Sequence, residues 1–294
     1  MNTEIAVAAP DLDEAAELAL AHRIARLFAR VERQFSRFRD DSELGELNRA
    51  IAPITVSPDM LEILLRARAH VRASEGVFDP AVGAALAAAG YDRSFAPGAL
   101  DRTSIDGAAL PAHFADVWIE EPTRRVFRPP HVQLDFGGFL KGRTVDLAAA
   151  LAPGGCVMVD AGGDARLVGD GPEGEGWLVD VEDPTDPQAV VATLRLRDRA
   201  IATSAANRRH WQVGDTTAHH LIDPRRGAPA VTDLAQVTVV AETTEQADVL
   251  AKVAFVLGEE DGTAWLRGRP GIGAVLVRRD GTTKIVGELE VAHA

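Results

Sequence analysis

Apolar residues in the N-terminal part of the chain recur every three or four positions, the spacing of a helix with one buried face. The first such stripe predicts a helix that begins at Asp11 or Asp13 and ends near Phe35. A second helix is predicted over about residues 57–73, because Ser57 is a good capping residue and proline follows it at the first helical position. The apolar stripes are Leu20, Ile24, Leu27, Phe28, Val31 and Phe35, then Leu61, Leu64, Leu65 and Val71.

The second half of the chain alternates short apolar and β-branched runs with turns rich in Gly, Asp and Pro, a pattern typical of strands. Two helices are expected among them, over Gly142–Leu151 and Thr244–Leu257. Thr243 with Gln246 forms a candidate capping box for the second helix. Strands are predicted at residues 3–8, Val117–Ile119, Val132–Asp135, Val157–Asp160, Trp177–Val181, Val190–Leu196, Ala200–Thr203, Gln236–Ala241 and Ala274–Arg278.

Helices that precede strands along the chain favour an α+β fold over a doubly wound parallel sheet. Residues 92–112 are rich in Gly, Pro and Asp and are predicted to form a connection with at most one short helix. The sequence contains no repeat, low-complexity tract or clear linker. We therefore expect residues 1–294 to form a single continuous domain.

The amino-acid composition argues against nucleic-acid binding and against disulfide or cysteine-rich metal sites. The 294 residues are 46% hydrophobic, enough for a sizeable core, and 31 basic against 44 acidic residues give a net charge of −13. A chain this acidic is a poor binder of nucleic-acid phosphates, so a phosphate-bearing ligand must be held locally, by backbone amides, a metal or a few cations. Its single cysteine, Cys156, rules out an internal disulfide and a cysteine-rich metal cluster.

The sequence as written predicts a cytoplasmic protein. Its most apolar stretch, Ala81–Gly90, is well short of the ~20 residues that a membrane-spanning helix needs. The N-terminus has no basic start, no long apolar region and no cysteine that could accept a lipid.

The strongest local motif is the run Leu134–Asp146, predicted as a strand, a Gly-Gly bend and a helix. Glycines at such a bend allow the backbone to approach a ligand, and the amides of a helix N-terminus point toward anions. Lys141 would add a point charge for a phosphate. Alternatively, the run is a tight turn in which Lys141 pairs with Asp135 or Asp146.

A second glycine pair follows a predicted strand at Gly162-Gly163, where a simple β-turn is the better interpretation. It has neither the spacing of a dinucleotide-binding fingerprint nor the lysine and hydroxyl of a P-loop. The sequence therefore does not predict a standard nucleotide-binding fold.

A cluster of two histidines and an aspartate precedes a proline turn at His219–Pro224. These side chains could supply a general base or metal ligands, although a single histidine is more often structural. No combination of the candidate motifs resembles a Ser-His-Asp hydrolase or a zinc site.

Four further segments have good structural explanations when each is taken alone. Gly76–Pro80 places a carboxylate before a proline turn, and Ser42-Glu43-Leu44 with Asn48 is typical of a helix cap. Ala202–Ser204 ends a strand with two hydroxyls. Asp248 and Lys252 have the spacing of an ion pair on one helix face.

Taken in chain order, these segments resemble the ApbE-type flavin transferases, the FAD:protein FMN transferases. Each motif is weak alone, whereas the ordered set, which extends to about residue 258, is highly specific. The matching segments are Phe35–Phe38, Ser42-Glu43, Leu47-Asn48, Gly76–Pro80, Leu134–Asp146, Ala161–Asp164, Ala202–Ser204, His219–Pro224, Val237–Val240 and Ala247-Asp248.

This resemblance implies an α+β fold with two lobes and an FAD-binding cleft between them. It implies magnesium-assisted cleavage of the FAD pyrophosphate, transfer of FMN through a phosphoester to a Thr or Ser of a target flavoprotein, and release of AMP. Two alternatives stay open, an FAD pyrophosphatase and an FAD-binding protein whose transferase activity is weak or lost. The acceptor protein and the oligomeric state cannot be named from the sequence.

The resemblance also assigns roles by position. Proton transfer falls to His220 and Asp223. The carbonyl of Gly138 and the carboxylate of Asp248 would bind Mg²⁺, which prefers oxygen ligands. The residues expected to contact FAD are Met1, Phe38 near the flavin nucleotide, Val77, Phe78 and Asp79 at the adenosine, Asp135 and Lys141 at the nucleotide, Thr203, and Ile222 at the flavin.

Three positions depart from the family pattern. Lys252 replaces a threonine that is normally a metal ligand, so we expect its ammonium to displace or weaken Mg²⁺, unless it extends to solvent beside an intact site. Ala205 replaces a glycine, which predicts an altered backbone if that glycine has a positive φ. Met1-Asn2-Thr3 replaces Met-Gly-Thr, so the native chain could begin earlier and be exported or membrane-associated.

Overall fold

The computed structural model describes residues 3–96, 100–101, 109–186 and 188–293. Met1 lies outside the described residues, as does much of the connection expected over residues 92–112. The helices of the described chain are α1 (Glu14–Phe35), α2 (Glu43–Arg49), α3 (Pro58–Ala73), α4 (Gly83–Ala88), α5 (Leu140–Ala149), α6 (Thr244–Leu257) and α7 (Glu259–Arg267). The strands are β1 (Ile5–Ala8), β2 (Ile54–Thr55), β3 (Trp118–Glu120), β4 (Arg125–Phe127), β5 (Val157–Ala161), β6 (Ala165–Val168), β7 (Trp177–Glu182), β8 (Val190–Leu196), β9 (Arg199–Ala205), β10 (His210–Val213), β11 (Thr216–His219), β12 (Ile222–Asp223), β13 (Ala228–Pro229), β14 (Leu234–Ala241), β15 (Gly273–Arg278), β16 (Thr283–Gly287) and β17 (Val291–His293).

A seven-stranded sheet in the order β1-β5-β6-β9-β14-β15-β16 forms the centre of the fold, and every neighbouring pair in it is antiparallel. The prediction of an α+β fold is therefore confirmed. Strand β1 pairs with β5, so the N-terminal strand joins the sheet of the C-terminal half. This pairing supports a single domain over residues 1–294, which stays a prediction.

Both faces of the central sheet are covered because side chains alternate across a strand. Val237 and Val239 of β14 join the apolar cluster that contains Phe255 of α6. Val240 of the same strand joins a different cluster on the other face, with Leu194 of β8. The three-stranded sheet β17-β8-β7 packs against this second face of the central sheet.

Local capping explains where the main helices begin. The Asp13 side chain accepts a hydrogen bond from Ala16 N at 2.8 Å, which sets the start of α1. Ser57 caps α3 in the same way, and Thr243 caps α6. These starts and the predicted buried stripe of α1 are confirmed. None of the described helices is both long and apolar enough to cross a lipid bilayer.

A separate apolar cluster joins the helices of the N-terminal half to the segment before α5. It contains Phe35 of α1, Leu47 of α2, Leu64 of α3 and Phe136, and it reaches Val253 of α6. We call helices α1–α4 the helical lobe and the central sheet with α6 the sheet lobe; the apolar cluster joins the two. The candidate site lies between them.

The predicted strand Val132–Asp135 is wrong. The backbone N–H and C=O of Leu134 bond the Asn48 side chain, each at 2.9 Å, and Asp135 N donates to Pro80 O at 2.8 Å. Within this segment, the β-type pairing consists of a single isolated bridge between Gln133 and Val82. The segment is extended, but a side chain and a turn satisfy its polar backbone instead of a neighbouring strand. Asn48 thus holds this segment, while Ser42 caps α2.

The backbone at Ala205 is unstrained, and a difference from the family backbone at this position stays a prediction. Ala205 ends β9 and pairs with Gln236 of β14. It is not among the described residues with a positive φ, so the side chain introduces no strain.

Candidate active site

An open cleft of about 240 Å³ separates the helical lobe from the sheet lobe. It is lined by the end of α1, the turn before α4, the start of α5, the end of β9, the His220 segment and α6. Twelve predicted site positions meet in this cleft. They are Phe38, Val77, Phe78, Asp79, Asp135, Gly138, Lys141, Thr203, His220, Ile222, Asp248 and Lys252.

Helices α5 and α6 are held together next to the cleft by two contacts. Asp146 of α5 accepts hydrogen bonds from Thr244 N at 2.8 Å and Glu245 N at 3.0 Å, and so caps α6 from a neighbouring helix. A β-carbon on Gly142 would lie 2.5 Å from Thr244 O, so the backbones meet where a side chain would not fit. This packing fixes Lys141 relative to α6.

Two lysines and two buried aspartates form a charge cluster at the sheet-lobe side of the cleft. Lys141 Nζ pairs with Asp164 and donates to Ala161 O at 3.1 Å. Lys252 Nζ pairs with Asp248 one turn earlier on α6. The alternative partners predicted for Lys141, Asp135 and Asp146, are wrong, because both carboxylates are bonded elsewhere.

The carboxylates of this cluster are almost completely shielded from solvent. Asp164 is 1% exposed and Asp248 2% exposed. Burial raises the pKa of Asp164 to about 6, the charge of Asp248 adds to that rise, and the lysines oppose it. With all four groups charged, the cluster is neutral, so its net charge neither attracts nor repels a bound anion.

Arg37 organises the helical-lobe side of the cleft. Its guanidinium donates to Asp135 Oδ2 and to Tyr91 O, the latter at 2.6 Å. It lies 4.0 Å from the centre of the Phe38 ring, and the Phe38 and Tyr91 rings are 5.5 Å apart. Phe38 is 37% exposed, which leaves part of its ring available to an aromatic ligand.

His220 also lines the cleft. Burial, together with the nearby charges of Arg209 and Lys252, holds its pKa well below the usual range, so the imidazole is neutral at pH 7. Its Nδ1 lies 3.3 Å from Arg209 O. Because a carbonyl oxygen can only accept, we infer that Nδ1 carries the proton, which leaves Nε2 as the basic nitrogen.

Asp223 does not line the cleft. Its carboxylate accepts from Arg225 Nε at 2.9 Å and Nη2 at 3.0 Å, and also from Arg225 N at 3.0 Å. The structure therefore places His220 and Asp223 in different settings, with Asp223 engaged in a bidentate pair.

Asp79 is a cleft residue whose carboxylate holds two backbone segments together. It accepts from Ala81 N at 2.8 Å and from Phe114 N at 3.0 Å. Burial raises its pKa, and those hydrogen bonds oppose the rise. Thr203 shares a 2.9 Å hydrogen bond with Thr238, while Val77, Phe78 and Ile222 contribute apolar surface.

The residues expected to bind Mg²⁺ do not present a suitable donor set. Lys252 Nζ lies on Asp248 Oδ1, and the Lys252 stem would be 3.5 Å from a β-carbon on Gly138. Among the described residues, no group of three or more His, Cys, Asp or Glu side chains could share an ion. An ammonium thus occupies the one carboxylate that the resemblance assigned to the metal.

Three cleft-forming roles were missed in the sequence. Arg37 and Asp164 stand within matched segments, but nothing local indicates their partners, which are 98 and 23 residues away. Tyr91 is the chain's single tyrosine, a signal that could have marked it. It connects Phe38 to Trp211, whose ring is 5.5 Å from that of Tyr91.

The sequence is similar to that of known flavin transferases. A sequence profile of the ApbE family matches residues 1–276. The FAD:protein FMN transferase of Treponema pallidum is 32% identical over 285 residues, which cover 89% of this chain and 78% of that protein. The FAD:protein FMN transferase of Klebsiella pneumoniae is 28% identical over 271 residues, covering 89% and 83%.

The fold is also similar to solved structures of ApbE proteins. The ApbE protein of Thermotoga maritima superposes with a TM-score of 0.84 at 24% identity, over 97% of this chain and 93% of that one. The flavin transferase ApbE from Vibrio cholerae superposes with a TM-score of 0.78 at 25% identity, over 99% and 94%. The predicted ApbE-like architecture is confirmed.

Proposed function

The chain belongs to the ApbE family, and from that premise we propose that it transfers FMN from FAD to a Thr or Ser hydroxyl of an acceptor flavoprotein. Its curated relatives are named FAD:protein FMN transferases, enzymes that transfer a phosphorus-containing group. The comparisons favour this activity over the two alternatives, FAD hydrolysis and FAD binding without transfer.

The observation that carries the proposal is the pair of ammonium groups beside the cleft. A pyrophosphate diester brings two negative charges, and cleavage of its P–O bond places more charge on the leaving phosphate. Lys141 and Lys252 lie beside the cleft, where each ammonium can donate a hydrogen bond to these oxygens while its paired aspartate keeps the cluster neutral, and their side chains are only 18% and 19% exposed. Partial exclusion of water strengthens such contacts relative to those on an open surface.

The two halves of FAD find different partners in the cleft. Phe38 supplies part-exposed aromatic surface near Arg37, suitable for stacking on a planar ring system, and the buried Tyr91 ring packs against it. Val77 and Phe78 line the cleft with apolar surface for the adenosine, and Ile222 adds apolar surface for the flavin. Gly138 also lines the cleft, next to the Phe78 ring and the Lys252 stem.

The reaction balances with the groups present. The acceptor Oγ forms a bond to the FMN phosphorus, and the bond from that phosphorus to the bridging oxygen breaks. AMP leaves with the bridging oxygen and the bonding electrons. The hydroxyl proton passes to the neutral His220, whose lowered pKa keeps its Nε2 free to accept it. Asp223, paired with Arg225, supports the His220 segment rather than exchanging the proton.

Mg²⁺ has no step in this proposal. The donor set around Asp248 does not fit a divalent ion while Lys252 is paired with that carboxylate. The contacts to the diphosphate oxygens that a metal would supply are assigned instead to the two lysine ammonium groups.

The test uses an acceptor flavoprotein subunit with a single reactive threonine and its Thr→Ala version. Incubation with FAD and this enzyme should make the denatured acceptor fluorescent and add the mass of one FMN phosphoester. The alanine acceptor should gain nothing. Several acceptors that stay unmodified while the enzyme binds FAD would contradict the transferase proposal.

A further inference from the structure

Lys252 is held in place by its surroundings and is not a solvated surface lysine. Its Nζ contacts Asp248 Oδ1 and lies 3.4 Å from Asp248 O. Its Cδ and Cε would each be 3.5 Å from a β-carbon on Gly138, and the Phe78 ring would be 2.9 Å from the same position. The absence of a side chain at Gly138 therefore leaves room for the Phe78 ring, and the lysine stem lies within van der Waals reach of the same position.

The remaining hydrogen-bonding capacity of Lys252 is suited to a phosphate. An ammonium has three N–H donors and no acceptor. Among the described residues, it donates hydrogen bonds to Asp248 Oδ1 and Asp248 O. One donor is left for a ligand in the cleft, which Lys252 lines.

The distribution of lysines in the chain also supports phosphate binding by Lys252. The chain has 31 basic residues, and only three of them, Lys141, Lys252 and Lys284, are lysines. Two of these three line the cleft. An ammonium is a compact point charge that fits a small space between carboxylate and phosphate oxygens, whereas guanidinium is planar and bulky.

A divalent cation would compete with this arrangement directly. To bind Asp248 Oδ1, the ion must displace the Lys252 ammonium, which cannot act as a ligand and repels a cation at short range. The charge of Lys141 lies on the same side of the cleft, paired with Asp164. With all four groups ionised, the cluster already has no net negative charge to attract a metal.

We propose that Lys252 is a tethered cation that replaces a divalent metal at the diphosphate, so that this chain binds FAD and transfers FMN without Mg²⁺. The inference rests on the proposed function and specifies how the same site neutralises its substrate. Lys252 donates to a non-bridging oxygen of the diphosphate while Asp248 holds it in position. Lys141 supplies the second positive charge.

The direct test is FAD binding by calorimetry, in EDTA and then in excess Mg²⁺. The variants are Lys252→Thr, which removes the cation and offers a hydroxyl, and Lys284→Thr, a matched control on β16 whose ammonium pairs with Glu259. Wild type and Lys284→Thr should bind FAD in EDTA with a Kd that changes less than about twofold in Mg²⁺. Lys252→Thr should bind about tenfold to 100-fold more weakly in EDTA and regain affinity in Mg²⁺.

A second measurement detects the metal alone. Removing Lys252 frees Asp248 Oδ1 beside Oδ2, a buried oxygen that already lacks a hydrogen-bond partner in the structure. Titration of Mn²⁺ followed by electron paramagnetic resonance should therefore show tight binding to Lys252→Thr with FAD, and none to wild type or Lys284→Thr. This readout does not depend on catalysis.

The outcomes separate the two proposals. Wild-type protein that binds FAD only when Mg²⁺ is present, or that binds Mn²⁺ tightly, would overturn the tethered cation and leave the transferase proposal standing. Wild-type protein that binds no FAD with or without Mg²⁺ would overturn both.

Discussion

Gly142 on α5 meets the carbonyl of Thr244 at the start of α6 so closely that a β-carbon would lie 2.5 Å from that oxygen. These helices carry Lys141 on one side and the Asp248–Lys252 pair on the other. The separation between the two ammonium groups of the cleft thus depends on Gly142, a residue outside the cleft lining.

We expect Gly142→Ala to lower the free energy of unfolding by about 1–3 kcal/mol, since the added methyl must push apart two packed backbones. Urea denaturation measures this change. Gly268→Ala is the control, because its nearest non-neighbouring atom is 3.7 Å away and its φ is negative. Equal stability of Gly142→Ala and wild type would show that the α5–α6 contact is looser than described.

Replacing His220 by Asn should lower the rate of FMN transfer by about 10²–10⁴-fold while FAD affinity changes little, because the side chain is assigned to the proton and not to the diphosphate. Asp223→Asn should have a smaller effect on the rate, since Asp223 is paired with Arg225 outside the cleft lining. Single-turnover rates with saturating FAD provide the comparison. A larger loss in Asp223→Asn than in His220→Asn would reverse these roles.

The depressed pKa of His220 predicts that the fold loses stability in mild acid. Burial keeps the folded imidazole neutral, whereas the unfolded one titrates near 6.5. Below that pH the unfolded state binds more protons, so the free energy of unfolding falls as pH decreases, by at most about 1.4 kcal/mol per pH unit for one histidine. Above pH 6.5 this contribution is complete.

Urea unfolding of wild type and His220→Gln between pH 7.5 and 5.5 isolates that contribution, because the buried aspartates are common to both proteins. His22→Gln, an exposed position on α1, is the control. Identical pH slopes for wild type and His220→Gln would mean that His220 titrates normally in the folded protein.

Phe38→Ala should weaken FAD binding by about fivefold to 100-fold, the range expected for losing one stacked aromatic ring. Stability should change little because the ring is 37% exposed. Trp118→Ala on β3, another exposed aromatic, should leave the Kd unchanged because Trp118 does not line the cleft. Flavin fluorescence titration gives both constants, and an unchanged Kd in Phe38→Ala would place the ring systems of FAD elsewhere.

Elements with strong local signals were predictable from the sequence. The α6 helix begins and ends at the predicted residues, and so does strand β8, since capping and apolar periodicity act within a few positions. The sequence did not predict helix α7. Its buried side contains Gly262 and Thr263, which are not large apolar residues and so produce no helical hydrophobic periodicity.

The sequence predicted which residues form the site but not which side chains contact one another within it. The family resemblance indicated Lys141 and Asp135, yet their partners, Asp164 and Arg37, are brought in by the antiparallel sheet and by the turn after α1. Likewise, the side chain of Asn48, which is 86 residues away in the sequence, bonds the backbone of Leu134 where a neighbouring strand was expected. Such contacts depend on the assembled fold, and no local spacing encodes them.

Product accounting after a reaction with FAD and a threonine-bearing acceptor flavoprotein tests the central claim most directly. Chromatography should recover one AMP for each acceptor molecule that gains FMN, with no free FMN. Recovery of free FMN and AMP with an unmodified acceptor, or of intact FAD alone, would contradict the account of this protein as an FMN transferase.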